Sequence, residues 1–460
     1  MIAMHGQQLL DCLALPPGPP IDFEFKGVEI DSRKDCRGRL FVAIRGDNFD
    51  GHDFVATAAE KGAVATLVER PLALDLPQLV VADGRQALAQ LARCWRRQLA
   101  PMVVAITGSN GKTTVKEMLG RILAASAPVL VTQGNLNNDI GVPLTLLRLS
   151  AEQHFAVIEM GANHMGEIAY LVSVAEPDIV YVNNARAAHV EGFGSLDNVV
   201  IAKGEMYSHC RPDALAVFNE DEPSYERWRD SAATRRHLGF SMERAADVRG
   251  QYQLAADGLE VILAHDGGEA STSLQVAGRH NAQNALAAMT LALACGLSVQ
   301  RVASGLAGFA GVGGRQQFLE GPAGSRLIND SYNANPDSLA AAIDVVSGLP
   351  GESWLAIGDM AELGDDAQSQ HDESLRYARD KGISQCFAFG DMSCRAVKQF
   401  GNAGHCFDSH ADMADFIESR LTPGINLLVK GSRSAGMDKL VDLLVARTLA
   451  ARPSGGRHAV

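Results

Sequence analysis

Residues Ala105-Ile106-Thr107-Gly108-Ser109-Asn110-Gly111-Lys112-Thr113-Thr114 place two glycines, a lysine and paired threonines between an apolar run and an amphipathic one. Gly108 and Gly111 let backbone N–H groups turn toward phosphate oxygens. Lys112 supplies a cation, and the Thr113 hydroxyl can ligate Mg²⁺ where the following helix begins. The chemistry is phosphoryl handling. The common G-x-x-x-x-G-K-[ST] spacing would require glycine at position 106, where this chain has Ile106, so the loop is a shortened version. The plainer alternative, a glycine turn capped by threonine, leaves the lysine unexplained.

Three more residues could join that chemistry: Glu159 at the end of FAVIEMG, His189 in NNARAAHVEGFG and Lys203 in IAKGEMYSH. Carboxylates at the carboxyl ends of strands are reasonable Mg²⁺ ligands, and open α/β sheets hold their ligands there. Taken singly, Glu159 also reads as a helix-capping carboxylate, His189 as a satisfied loop histidine and Lys203 as a solvated helix lysine.

These residues need elements to hold them. From Met102 onward, apolar runs (MVVAITG, FAVIEMG, DIVYVNN, ALAVFN) alternate with amphipathic segments, the pattern of parallel β-α units. Val115, Met118, Leu119, Ile122 and Leu123 share one face of a helix after the phosphate loop. Upstream, short strands are expected at 27–30, 40–44, 63–68 and 78–82, with helices near 53–61 and 84–100 and a boundary at Pro101. Residues 240–275 alternate as an antiparallel excursion before a helix at 281–295. WLAIGDM, QCFAFG and NLLVKGS then mark a third α/β unit, and 451–460 reads as a frayed tail.

At 460 residues the chain exceeds what one core sustains, and three domains are expected: 1–100, 101–313 and 314–460. Hydrophobic content of 47% and charged content of 21% are ordinary for a folded globular protein. A formal charge of -13 argues against wholesale nucleic-acid binding, so an anionic ligand must be held by local groups. The start lacks the pattern of a secretory signal, and no apolar run is long enough to span a bilayer. The eight cysteines show no C-x-x-C pair and read as free thiols of a reducing, cytoplasmic compartment.

GSNGKTT, GNLNNDIGVP, ANHMGEI, HVEGFG, AKGEM, GRHN, DSYNANPDS and LVKGSRSAGM together resemble the Mur ligase family of bacterial peptidoglycan synthesis, and DSRKDCRGRLFVAIRGDNFDGHDF is similar to the uridine-nucleotide domain of its later members. The likeness covers nearly the whole chain. It implies an α/β protein of three domains: a small N-terminal UDP-binding domain, a central P-loop parallel-sheet ATPase domain and a C-terminal Rossmann-like domain. By the same resemblance, ATP is held by Gly108, Ser109, Asn110, Gly111, Lys112, Thr113 and Thr114, with Asn281, Asn284, Arg315, Asp330, Tyr332 and Asn335. Two Mg²⁺ ions fall to Thr113, Glu159, His189 and Lys203, the last as a carbamate. Ser32 and Arg33 face the uridine diphosphate, and Asn137, Asn138 and Asp139 the muramoyl peptide. Lys430, Ser432 and Arg433 face a peptide carboxylate or the incoming amine. Gly313-Gly314-Arg315 stands where the family more often has Pro-Gly-Arg.

The resemblance further implies a monomeric ligase in which a peptide carboxylate attacks the γ-phosphorus of ATP and an amine attacks the resulting acyl phosphate. No D-N-P-R tetrapeptide occurs, whereas DSYNANPDS does, which points to UDP-N-acetylmuramoyl-tripeptide and D-Ala-D-Ala as the partners, with no nucleic acid and no membrane insertion. Ligases of the same superfamily that add the third residue, folylpolyglutamate synthetases, and a P-loop nucleotide switch that forms no bond remain as alternatives.

Overall fold

The structure is a computed structural model that describes residues 1–16, 22–46, 48–186, 190–233, 235–255 and 258–450. His189 and the tail 451–460 lie outside the described residues.

Three α/β units follow one another along the chain. The first has a four-stranded parallel sheet in sequence order, Val28–Glu29, Leu40–Val42, Ala65–Val68 and Gln78–Val80. The expected helix near 53–61 begins as a 3₁₀ turn, Gly51–Phe54, and continues as Val55–Glu60. Sequence reading did not foresee the antiparallel pair Ala3–His5 and Glu24–Lys26, which is too short to alternate visibly.

The long helix Gly84–Leu99 starts on the Asp83 side chain, which accepts from the N–H groups of Arg85 and Gln86. Its buried Leu88, Leu91 and Ala92 belong to the same apolar core as Leu146, Ile168 and Leu171 of the next unit. The core is therefore continuous across Pro101.

The second unit is a nine-stranded sheet. Met102–Thr107 lies between Ile179–Val182 and Phe155–Glu159, all parallel, with Val129–Val131 at the edge beyond Phe155–Glu159. The chain thus winds both ways from its first strand, which opens a crevice at that strand's carboxyl end. The helix Lys112–Ala124 buries the expected stripe of Val115, Met118, Leu119, Ile122 and Leu123, each 0% exposed, against this sheet. The excursion at 240–275 extends the sheet as Val248–Ala255, Gly258–His265 and Gly268–Leu274, antiparallel to one another.

In the third unit, Arg326–Asp330, Ile425–Lys430, Glu352–Gly358, Gln385–Phe389 and Gly404–Phe407 run parallel, and Gln317–Glu320 closes one edge antiparallel. Among the described residues no helix is long and apolar enough to cross a membrane.

The cysteine expectation is corrected. Cys12 pairs with Cys94 and Cys394 with Cys406 as disulfides, leaving Cys36, Cys210, Cys295 and Cys386 as buried free thiols. Cys12 and Cys94 are 82 positions apart and meet only because their helices pack, so no local spacing announces them.

Candidate active site

The phosphate loop connects Met102–Thr107 to Lys112–Ala124, and its backbone explains its glycines. Gly111 has φ +78°, and a Cβ there would lie 2.5 Å from Asn183 Nδ2 and 2.6 Å from Asn284 Oδ1. Gly111→Ala is therefore expected to weaken nucleotide binding by at least tenfold while the protein stays folded; calorimetric titration with ADP beside a melting curve checks it.

A mesh of asparagines holds the loop. Asn183 Nδ2 donates to the Asn110 carbonyl (2.8 Å) and to Asn284 Oδ1 (3.0 Å), while Asn184 Oδ1 accepts from the Asn110 N–H (2.9 Å). Asn335, which also caps the helix Pro336–Ser347, donates to Asn110 Oδ1 at 2.9 Å. The second and third units are thus joined at the loop itself. Ser109 Oγ accepts from the N–H of Arg186, whose guanidinium pairs with buried Glu222.

Lys112 Nζ donates to the carbonyls of Gly108 (2.6 Å) and Ser109 (3.2 Å), and burial lowers its pKa against the opposing pull of Glu159. Thr113 Oγ1 donates to Glu159 Oε2 (2.9 Å) and accepts from Arg315 Nη2 (2.9 Å), and Asn137 Nδ2 donates to Glu159 Oε1 (2.8 Å). Arg315 also lies over the Tyr332 ring, 4.2 Å from its centroid, with Arg433 at 5.9 Å. It follows Gly314, whose φ of +73° makes the local turn.

Most of these groups open on one cavity of about 910 Å³. Its walls bring together Ser109 to Thr114, Asn137, Asn138, Asp139, Glu159, Asn281, Asn284, Arg315, Asp330, Tyr332, Asn335, Lys430 and Arg433. Gly108 and Asn183 are outside the lining. The register of the third sheet pairs Asp330 with Lys430, and their side chains form a buried ion pair (2.5 Å) in which Lys430 also donates to the Asn333 carbonyl. Asn281 Nδ2 donates to Gln316 Oε1, and Asp330 Oδ1 accepts from the Gln316 N–H, so Gln316 ties the two units together beside Arg315.

Ser32 and Arg33 are not brought to this cavity. Ser32 is buried in its own turn, and Arg33 is fully exposed with its guanidinium against Asp31, whose pKa falls to about 2 chiefly through that hydrogen bond. Lys203 lies behind the cavity wall, 1% exposed, with Nζ 3.3 Å from the Ala162 carbonyl and 5.2 Å from the Phe193 ring centroid. Burial first, and Lys112 second, bring its pKa down to about 7. Sequence reading missed Arg85, which reaches from the first unit to Asp139 (2.6 Å), and with it Asn183, Asn184, Arg186 and Gln316. Asn183, Asn184 and Arg186 stand in NNARAAHVEGFG, a run read only for its histidine, and Arg85 and Gln316 stand alone.

Thr113 and Glu159 offer a hydroxyl and a carboxylate side by side beneath the phosphate loop. Among the described residues no group of three or more His, Cys, Asp or Glu is assembled to hold a metal. A donor set this sparse fits Mg²⁺, which keeps waters and phosphate oxygens for its other positions. An ammonium at Lys203 does not suit a neighbouring hard cation.

Comparison with known proteins follows the same three units. Family models match residues 24–96 (Mur ligase family, catalytic domain), 106–292 (Mur ligase middle domain) and 314–433 (Mur ligase, glutamate ligase domain). The chain is 41% identical over 427 residues, 92% of its length and 94% of the relative's, to UDP-N-acetylmuramoyl-tripeptide--D-alanyl-D-alanine ligase of Escherichia coli (strain K12). A crystal structure of MurF from Acinetobacter baumannii superposes with a TM-score of 0.89 at 35% identity, covering 97% of this chain and 99% of that one. MurF ligase from Thermotoga maritima in complex with ADP superposes with a TM-score of 0.80 at 25% identity, covering 93% and 99%. With three family models along its length and relatives matched over more than nine-tenths of it, this chain belongs to the Mur ligase family.

Proposed function

We propose that this chain is an ATP-dependent ligase that joins D-Ala-D-Ala to UDP-N-acetylmuramoyl-tripeptide, forming the pentapeptide, ADP and phosphate in peptidoglycan synthesis. The observation that carries the reading is the single cavity in which the phosphate loop and Glu159 meet the Asn137–Asp139 loop on one side and Arg315, Asp330 and Lys430 on the other. Nucleotide-facing and peptide-facing groups therefore share one cavity, as transfer of a phosphoryl group to a bound carboxylate requires. The relatives are named for this reaction.

In the first step an oxygen of the tripeptide carboxylate attacks the γ-phosphorus, the bond to the bridging oxygen breaks and ADP leaves. In the second the amine of D-Ala-D-Ala attacks the acyl carbon of the acyl phosphate. The tetrahedral intermediate expels phosphate, and the nitrogen loses a proton. Lys112 and Arg315 exchange their present partners for phosphate oxygens and offset their charge. Asn110, Asn183, Asn284 and Asn335 keep the loop in the shape that receives those oxygens. Asn137 to Asp139, with Arg85 behind Asp139, line the side from which the peptide enters.

Thr113, Glu159, His189 and Lys203 as a carbamate are the residues that would hold Mg²⁺, which when bound neutralises phosphate oxygens. We assign residues 1–100, with Ser32 and Arg33, to the uridine nucleotide, 101–313 to ATP, and 314–460 to completing the nucleotide and dipeptide sites.

We place the reaction in the cytoplasm, where ATP is supplied. Reduction there opens both disulfides, and neither touches the cavity, so turnover in excess dithiothreitol is expected to stay within twofold of that without it. A larger loss would make a bridge necessary for activity. The reading itself is tested by phosphate release from ATP with UDP-N-acetylmuramoyl-tripeptide, with and without D-Ala-D-Ala. Release that needs both supports the ligase, and release that needs neither supports a nucleotide switch.

A further inference from the structure

One fully buried cation has no part in the mechanism above. Lys116 lies one helical turn beyond Lys112 and is 1% exposed, although a lysine on an ordinary helix reaches for water. Its Nζ donates to the Thr132 carbonyl at 2.7 Å and pairs with Glu117 at 2.7 Å. Thr132 follows the edge strand Val129–Val131 and is itself 1% exposed. Its hydroxyl accepts the N–H of Glu159 at 3.0 Å, and its own N–H donates to the Val157 carbonyl at 3.1 Å. The helix lies tight here: a Cβ on Gly120 would be 2.8 Å from Val131 Cγ2.

From Thr132 the chain enters the loop that carries Asn137, whose carbonyl accepts from Gly161 (2.8 Å) and whose amide holds the Glu159 carboxylate. Lys116 thus fastens the corner from which both the backbone of Glu159 and the asparagine loop are hung. A buried ammonium is costly unless its hydrogen bonds are made, and here one of them closes the free end of a strand.

We propose that Lys116 is a positioning residue for the metal-facing carboxylate of Glu159, acting through Thr132. This rests on the reading of Glu159 as a Mg²⁺ ligand. Groups behind a metal ligand that fix its orientation commonly contribute ten- to a hundredfold to affinity.

The experiment is calorimetric titration of ADP, with and without Mg²⁺, into wild type, Lys116→Met, Thr132→Val, the double variant and Glu159→Ala, each with a melting curve. Met fills the space of the lysine stem, and Val replaces the hydroxyl by a methyl. The expected result is metal-free ADP binding within twofold of wild type in Lys116→Met and Thr132→Val, with the gain on adding Mg²⁺ reduced about tenfold in each. Because both act through one chain of hydrogen bonds, the double variant should lose little more than either single one. A Lys116→Met protein that melts earlier yet keeps the full Mg²⁺ gain overturns the proposal. If Lys116→Met does not fold, Lys116→Gln, whose shorter uncharged side chain weakens the same bond to the Thr132 carbonyl, decides: an undiminished Mg²⁺ gain overturns the proposal, a reduced one supports it. A Glu159→Ala protein that keeps the gain overturns instead the assignment of Glu159.

Discussion

Lys112→Ala is expected to lower turnover by on the order of a hundredfold or more while leaving the melting temperature nearly unchanged. The lysine sits at the N-terminus of Lys112–Ala124, and its present partners are carbonyls of its own loop, a holding position that phosphate oxygens displace. Charge that develops on those oxygens during transfer loses one of the side-chain cations beside the loop in the variant. Arg315 remains, so some activity survives. Steady-state kinetics with saturating ATP checks this, because a residue that only bound ground-state nucleotide would raise KM and spare kcat. Unchanged ligation by the variant would remove the phosphate loop from the chemistry.

Lys203→Ala is expected to be almost inactive and to regain part of its activity in small carboxylates such as formate or acetate. The motivation is an amine 1% exposed with a pKa of about 7. Carbon dioxide adds only to a neutral amine. At pH 8 roughly nine-tenths of such a group is neutral, against well under a hundredth of an ordinary lysine. The sign follows: below about pH 7 the amine is protonated and the carbamate is lost, so bicarbonate-dependent activity falls as pH drops through that value. Full activity of Lys203→Ala, or no response of the wild type to removal of carbon dioxide, would leave Lys203 a structural buried lysine.

How much of this was legible depended on whether a group's partners are neighbours in the chain. Gly108 to Thr114 were legible because loop, lysine and helix start lie together, and the apolar stripe from Val115 to Leu123 had a period that names its own element. The strand end carrying Glu159 could be read as a site because parallel sheets hold ligands there, whereas Asp330 was reached only through the family resemblance. Asn183 and Arg186 gain their meaning only from Asn284 and Glu222, which other strands and helices bring close. Lys116 looks like any lysine on an amphipathic helix until Thr132 is placed over it. Lys430 read as a substrate-facing cation, yet the register of two adjacent strands sets it against Asp330. Cys12 and Cys94 belong to the same class, joined by packing alone.

The central claim is the identity of the two molecules joined, and product mass after incubation with ATP and Mg²⁺ tests it most directly. UDP-N-acetylmuramoyl-tripeptide is offered with D-Ala-D-Ala, D-Ala, diaminopimelate or L-Lys in separate reactions, and UDP-N-acetylmuramoyl-dipeptide with each diamino acid. A site built to pair the second amide and terminal carboxylate of a dipeptide should reject single D-Ala strongly, because its own polar groups would be left unpaired. The pentapeptide mass is expected only with tripeptide and D-Ala-D-Ala. Product that forms only from the dipeptide precursor and a diamino acid would contradict it, although ATP-dependent amide formation would still stand.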